Sequence, residues 1–315
     1  MNNIYKTDFN FPGQTSKYEG KVRDVYTIED EIIILIASDR ISAFDIVMPR
    51  PIPNKGQVLN QISLEMLNST KDIIDNWLIS SPDPNVSIGR KLNPIKIEMV
   101  IRGYLTGHSD RLYKSGERKI CGVVMPDGMI ENDKFINPIL TPTTKADNGS
   151  HDEDISREEI LLNNIVNEED YLKLEDYSLK LFEEGSRIAK NQGLILVDTK
   201  YEFGKNKSGQ IILIDEIHTP DSSRYFYLDS YLELQNSKLP QKQLSKEFVR
   251  QWLISNGFQG KENQIIPEMS NDYIKGVSNR YIELYEKITG LEFVKEELNG
   301  LDKRIETNIL NYFDV

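Results

Sequence analysis

The sequence predicts an α+β protein with a strand-rich N-terminal third, a mixed centre and a helical C-terminal end. Three observations carry this. The runs KVRDVYTI (21–28) and EIIILIAS (31–38) are rich in β-branched residues and surround the acidic turn Glu29–Glu31, as in a hairpin. A second pair of such runs, LILVDTKYEF and QIILIDEIH, flanks the polar turn GKNKSG. The last seventy residues or so instead place apolar side chains at helical spacing.

In chain order, a helix is expected from Gly56, with Val58, Leu59, Ile62 and Met66 on one face. IKIEMVIRGY reads as a strand, apolar at Ile95, Ile97, Met99 and Ile101. GVVMPDGMI predicts a hairpin turning at Pro126-Asp127-Gly128. The stretch TPTTKADNGSHDED is almost without apolar residues, and polar loops of this length are usually functional or disordered. It leads into Ser156 with Glu159 three residues on, a capping box ahead of Ile160, Leu161 and Leu162. A long helix follows from about Glu168, burying Tyr171, Leu174, Leu181 and Ile188 and stopping at Gly193. KEFVRQWLISNG and DYIKGVSNRYIELYEKITG are helices, each closed by a glycine.

At 315 residues the chain is long enough for two or three domains, and 38% hydrophobic with 28% charged residues is the composition of a soluble globular protein. The net charge of −12 argues against a nucleic-acid or anionic-membrane partner. Cys121 is the single cysteine, so no internal disulfide forms, and it has no thiolate-activating neighbourhood in the sequence. No secretory signal and no apolar run of about 18 residues is visible. A cytoplasmic protein acting on small molecules is expected, as a monomer or small homo-oligomer.

Several clusters bear chemistry. In LVDTKYEFG, Asp198, Lys200 and Glu202 alternate along a strand and share a face. Pairing with QIILIDE brings Asp215 or Glu216 alongside Asp198. Clustered carboxylates repel unless a cation intervenes, and Mg²⁺ with phosphate oxygens suits them. A solvated face with an internal lysine–carboxylate pair fits the spacing equally. Gly20 followed by Lys21 and Arg23 lets backbone and cations approach a phosphate, or is a basic edge strand. SDRISAFD, with Ser38, Asp39, Arg40, Ser42 and Asp45, ends a buried strand; it is either part of a site or a turn with a local Asp–Arg pair. Arg102, in IRGYLTGHSDR, and Arg224, in TPDSSRYF, could hold a ribose phosphate between them or make separate salt bridges. The polar loop carries Lys145, His151, Asp152, Glu153 and Asp154: a lid with a phosphate-binding lysine, or a solvated acidic loop. P-loop, GxGxxG, GxSxG and protein-kinase signatures are absent.

Taken in order, GKVRDVY, SDRISAFD, IEMVIRGYLTG, TPTTKAD, HDEDIS, LILVDTKYEFG and DEIHTPDSSRYF resemble the SAICAR synthetase (phosphoribosylaminoimidazole-succinocarboxamide synthase) family, from about Tyr18 to Phe226. RYIELYEKITG is similar to the tail of its longer, single-function form. The resemblance implies a ligase of purine biosynthesis. It joins a carboxylated aminoimidazole ribotide to L-aspartate while splitting ATP to ADP and phosphate, through an acyl phosphate. It implies an N-terminal ATP-binding α+β domain resembling a kinase small lobe and related to ATP-grasp folds (1–114), a central α+β domain (115–240) and C-terminal helices (241–315).

The resemblance also implies roles. Glu202 and Asp215 hold Mg²⁺. Lys200 and Asp198 face the reacting groups, and Asp152, also catalytic, lies near the imidazole or aspartate. Gly20, Lys21, Arg23 and Lys145 contact ATP phosphates, and the backbone at Glu98–Val100 binds adenine. Arg102 and Arg224 hold the ribotide phosphate, and Ser38, Asp39, Arg40 and Ser42 lie near the imidazole or aspartate. The family usually has serine after TG in RGYLTG; here His108 stands there and Ser109 follows, so either could make the phosphate contact. A small-molecule kinase and a non-catalytic nucleotide sensor are the alternatives on the same fold.

Overall fold

The N-terminal layer is an antiparallel sheet in the order β1-β2-β3-β7-β6. Its strands are β1 (Gln14–Glu19), β2 (Arg23–Ile28), β3 (Ile32–Ala37), β6 (Leu78–Asp83) and β7 (Val86–Arg90). The β2–β3 hairpin forms as predicted, in register Ile28↔Ile32, with Glu29 and Asp30 both at positive φ as a tight primed turn requires. Between β3 and β6 lie the small hairpin β4 (Ser42–Ala43) and β5 (Ile46–Val47), then helix α1 (Lys55–Ser69). The computed structural model describes residues 3–145, 152–296 and 299–314; His151 and the adjoining part of the predicted lid lie outside the described residues.

The second sheet is built on β8 (Asn93–Tyr104). Helix α2 (His108–Lys114) follows, then β9 (Lys119–Ile120), β10 (Val123–Val124), β11 (Lys134–Leu140) and β12 (Thr143–Thr144). Helices α3 (Arg157–Leu162) and α4 (Glu168–Asn191) lead into β13 (Leu194–Lys205), β14 (Ile211–Ile214) and β15 (Ser223–Tyr227). After α5 (Leu228–Asn236) come β16 (Gln243–Leu244), α6 (Glu247–Ser255), α7 (Asn271–Thr289) and α8 (Leu301–Tyr312). The sheet runs β11-β8-β13-β15-β16, with β12 on β8 and β14 on β13.

Strand β8 thus lies inside the second sheet, although residues 1–114 were expected to form one N-terminal unit. The first sheet ends at Arg90. The predicted hairpin at Pro126–Gly128 is displaced: β9 and β10 pair around Cys121–Gly122, both at positive φ. A cysteine in that conformation carries no sequence signal.

The capping box at Ser156 is complete: Glu159 N–H donates to the Ser156 hydroxyl, and the Glu159 carboxylate accepts from Ser156 N–H at 2.8 Å. Tyr171, Leu174 and Leu181 of α4 are buried against the second sheet, and Ile188 is half-buried beside buried Ala189. That core continues through α1 and α7. Helix α8 turns back to the first sheet, where Leu301, Ile305 and Ile309 pack with Tyr26, Ile34, Ile36 and Ile88. Arg304 anchors it to Asp83 at 2.9 and 3.0 Å. Among the described residues no helix is long and apolar enough to cross a membrane.

Candidate functional site

Strand β13 carries its charges on one face, as the period of two demands. Asp198 and Glu202 are buried, and Lys200 between them is partly open. Two cavities meet along this face, and Lys200 and Asp45 border both.

The first cavity, of about 540 Å³, lies between the two sheets. Its polar wall includes Gly20, Lys21, Arg23, Glu98, Lys145, Asp152, Lys200, Glu202 and Asp215, and its apolar wall Val25, Ile33, Leu35, Leu92 and Ile214. Lys200 donates to Glu98 at 2.6 Å and to Glu202 at 3.0 Å. Lys145 also pairs with Glu202, and Arg23 pairs with Glu216 and, at 2.9 Å, with Asp215. Lys21 reaches across to Asp45. Burial alone would lower the Lys200 pKa, but Glu98 and Asp215 outweigh it and hold the ammonium above its ordinary value. Burial likewise opposes ionisation of Asp215, yet Arg23, Lys200 and Lys145 keep its carboxyl below the usual range. For Lys145 burial prevails and its pKa is lowered.

The hairpin register corrects one expectation. Glu202 pairs with Ile214 on β14, and at Asp215, φ 63°, the chain turns away from the ladder. Asp198 is therefore not beside Asp215 or Glu216. Its neighbours across the sheet are Arg102 on β8 and Arg224 on β15.

At Glu98–Val100, expected to bind adenine through its backbone, β8 is engaged in the sheet. Glu98 stands opposite Thr143 on β12, and the Val100 carbonyl accepts from Thr141 N–H at 2.8 Å. The Val100 side chain borders the second cavity.

That second cavity, of about 660 Å³, holds Asp198, Arg102, Arg224 and His108. Arg224 pairs with Asp198 and donates to Glu247 at 3.1 Å. Arg102 donates to the Thr141 hydroxyl at 2.9 Å and lies 3.5 Å from Asp198. The Arg224 guanidinium rests on Gly107, where a Cβ would overlap it and where φ is 59°. His108 Nε2 is 2.6 Å from Asp154. Ser109 is fully buried and donates to the Thr106 carbonyl at 3.0 Å, so its hydroxyl does not face the cavity.

Ser38, Asp39, Arg40 and Ser42 are buried and border neither cavity. Their contacts among the described residues are internal. Arg40 binds the carbonyls of Gly20 and Lys21 and pairs with Asp24, which shapes the loop that carries Lys21. Asp39 accepts from Ile4 and Gly56 N–H, and burial pushes its pKa up to about 6. The same stretch reaches the cavities through Phe44 and Asp45, at the β4–β5 turn.

Sequence reasoning missed Arg111, Asp221, Lys246, Glu247 and Arg250, all of which border the second cavity. Arg111 and Asp221 lie in stretches singled out for other residues, Lys246, Glu247 and Arg250 lie at the start of α6 with no motif, and only the fold brings the five together. Burial lowers the Lys246 ammonium to about 8 against the attraction of Asp221. Burial pushes the Cys121 thiol up to about 12, consistent with an inert side chain.

Among the described residues no group of three or more His, Cys, Asp or Glu could hold a metal by itself. Glu202 and Asp215 on one wall offer two hard carboxylates. That fits Mg²⁺, which commonly takes one or two carboxylates and completes its shell with phosphate oxygens and water.

Comparison with known proteins agrees with this architecture. Residues 16–265 match the family model for SAICAR synthetase. A phosphoribosylaminoimidazole-succinocarboxamide synthase of Flavobacterium psychrophilum is 62% identical over 312 residues, covering 99% of both chains. That of Cytophaga hutchinsonii is 60% identical, covering 98% of this chain and 99% of its own. The SAICAR synthase of Saccharomyces cerevisiae solved with SAICAR superposes with a TM-score of 0.78 at 30% identity, covering 93% of this chain and 100% of its own. A type-2 SAICAR synthetase solved with ADP gives 0.68 at 25% identity, over 89% of this chain and 100% of that one. The chain belongs to the SAICAR synthetase family, the phosphoribosylaminoimidazole-succinocarboxamide synthases, ATP-using ligases of purine biosynthesis.

Proposed function

We propose that this chain joins a carboxylated aminoimidazole ribotide to L-aspartate, in the cytoplasm, turning ATP into ADP and phosphate. The observation that carries the reading is the position of Lys200. Its side chain borders a cavity suited to a nucleotide and a cavity rich in arginine, so one cation serves both. Relatives have been solved with SAICAR and with ADP, ligands of the two kinds this reading needs.

A carboxylate is a poor acyl donor, so its oxygen must first become a leaving group. In the proposed course the ribotide carboxylate attacks the γ-phosphorus of ATP and ADP departs. Aspartate's amine then attacks the carbonyl carbon, inorganic phosphate leaves with the bonding pair, and the amine gives up a proton. Such transfer needs positioning and charge neutralisation more than covalent help from the protein. The adenine fits the apolar wall at Val25, Ile33, Leu35 and Leu92. Lys21, Arg23 and Lys145 face the phosphates, and Lys200 faces the transferred group. Mg²⁺, held by Glu202 and Asp215, would supply further neutralisation of phosphate charge. Arg102 and Arg224 grip the ribotide phosphate, and Asp152 borders the nucleotide cavity.

A coupled assay tests this. ADP should appear only with ribotide and aspartate both present, alongside an amide product. ADP release with ribotide alone, leaving a stable phosphorylated product, would mark a kinase. No turnover with any combination would mark a nucleotide sensor.

A further inference from the structure

The arginines around Asp198 are not equally free. Arg102 and Arg224 share Asp198, and Arg224 and Arg250 share Glu247, with Arg250 at 3.1 Å. Arg111 borders the same cavity, but among the described residues its guanidinium has no hydrogen bond and no ion pair. Glu247 attracts it at longer range and Arg224 and Arg250 repel it, with Asp110 of its own helix a weaker attraction. Lys246 and Asp221 offset each other, and the four guanidiniums face Asp198 and Glu247, which leaves two positive charges among these cavity-lining groups. A phosphate monoester near neutral pH carries close to two negative charges.

The neighbours on α2 leave this role to Arg111. His108 is engaged with Asp154, and the Ser109 hydroxyl is turned inward to Thr106. Arg111 lies three residues after His108, on the same helix face, and is solvent-exposed. Its planar fork matches phosphate oxygens two at a time.

We propose that Arg111 is the residue by which this cavity selects a phosphorylated ligand, its guanidinium pairing with the phosphomonoester of the ribotide together with Arg102 and Arg224. The assignment rests on the ribotide being the occupant, as argued above. A nucleoside without the phosphate leaves Arg111 as unpaired as it is in the free protein, so the residue adds nothing to nucleoside binding. Selectivity for the phosphorylated form then follows from one side chain that has no internal partner to give up.

Calorimetric binding of the ribotide and of its dephosphorylated nucleoside to the wild type, Arg111→Ala and Arg111→Lys tests this. Arg111→Ala should weaken ribotide binding roughly ten- to hundredfold, the scale of one charged hydrogen bond. The preference for ribotide over nucleoside should narrow by the same factor, and Arg111→Lys should recover part of it. In turnover the loss should appear in the ribotide KM, with kcat at saturation retained. An unchanged ribotide Kd overturns the proposal, and so does an equal loss for ribotide and nucleoside, which would mean a structural role. ADP affinity measured alongside verifies the fold. Because the binding data need no catalysis, a protein that binds ribotide through Arg111 but forms no amide would refute the ligase reading and leave this one standing.

Discussion

Glu98 and Glu202 stand directly opposite each other on β8 and β13, and the Lys200 ammonium bridges them at 2.6 and 3.0 Å. Like charges placed across a ladder repel. Here the repulsion is cancelled by the side chain that borders both cavities, so the sheet's stability and the site's chemistry depend on the same atom.

Lys200→Met should therefore damage both. Loss of the bridge should cost roughly 1–3 kcal/mol, less than the 3–5 of a fully buried pair because Lys200 keeps some solvent contact. Turnover should fall at least about a hundredfold, as for one preorganised charge. Adding Glu98→Gln should return most of the stability and none of the activity. Urea midpoints and ADP release separate the two. Recovery of both together would make Lys200 purely structural.

Glu202→Gln and Asp215→Asn should each nearly abolish turnover while the fold survives, since Arg23 keeps Glu216 and Lys200 keeps Glu98. A neutral ligand holds Mg²⁺ more weakly, so any residual activity should need more of the metal. Near-native turnover at saturating Mg²⁺ in either variant would remove that residue from the metal site.

Gly107→Ala should act through Arg224. The backbone there, φ 59° and ψ −119°, is glycine's, so alanine costs roughly 1–3 kcal/mol. The new methyl also meets the Arg224 guanidinium. The ribotide KM should rise about tenfold or more while the ATP KM stays put. A change confined to thermal stability would mean that Arg224 tolerates the shift.

Local signals made part of this legible in the sequence. The β2–β3 turn, the Ser156 capping box and the apolar face of α4 depend on neighbours a few residues apart, and each forms as read. Side-chain alternation put Asp198, Lys200 and Glu202 on one face correctly. Register is a long-range property, and there the reading broke. The shared face did not reveal that β14 would end at Ile214, or that β8 and β15 would bring Arg102 and Arg224 to Asp198. That Glu98 and Val100 of β8 would meet Thr143 and Thr141 is likewise a long-range pairing without a local signal. For Arg40 the sequence left a site and a turn with a local Asp–Arg pair both open; the fold pairs it with Asp24 and the Gly20 carbonyl, contacts between segments that local spacing does not reveal.

The last prediction concerns acid stability and His218. Its ring is fully buried beside Gly185 of α4, with Nε2 3.2 Å from the Tyr201 hydroxyl and Nδ1 without a partner among the described residues. Burial drives its pKa down to about 4, with Glu184 pulling weakly the other way. In the unfolded chain the same ring titrates near 6.5. Below that pH the unfolded state takes up a proton that the native state refuses, so stability is present above about 6.5 and is lost as pH falls toward 4. Between pH 7 and 5 the loss from this one residue should be about 2 kcal/mol, given 1.36 kcal/mol per pH unit. His218→Asn tolerates the positive φ of 59° and does not titrate in this range. Other groups add their own pH dependence, but the variant shares them. The unfolding free energies of the two proteins should therefore converge as pH drops, with the variant's profile flatter by about that amount. Parallel profiles would mean that the buried ring accepts its proton without penalty.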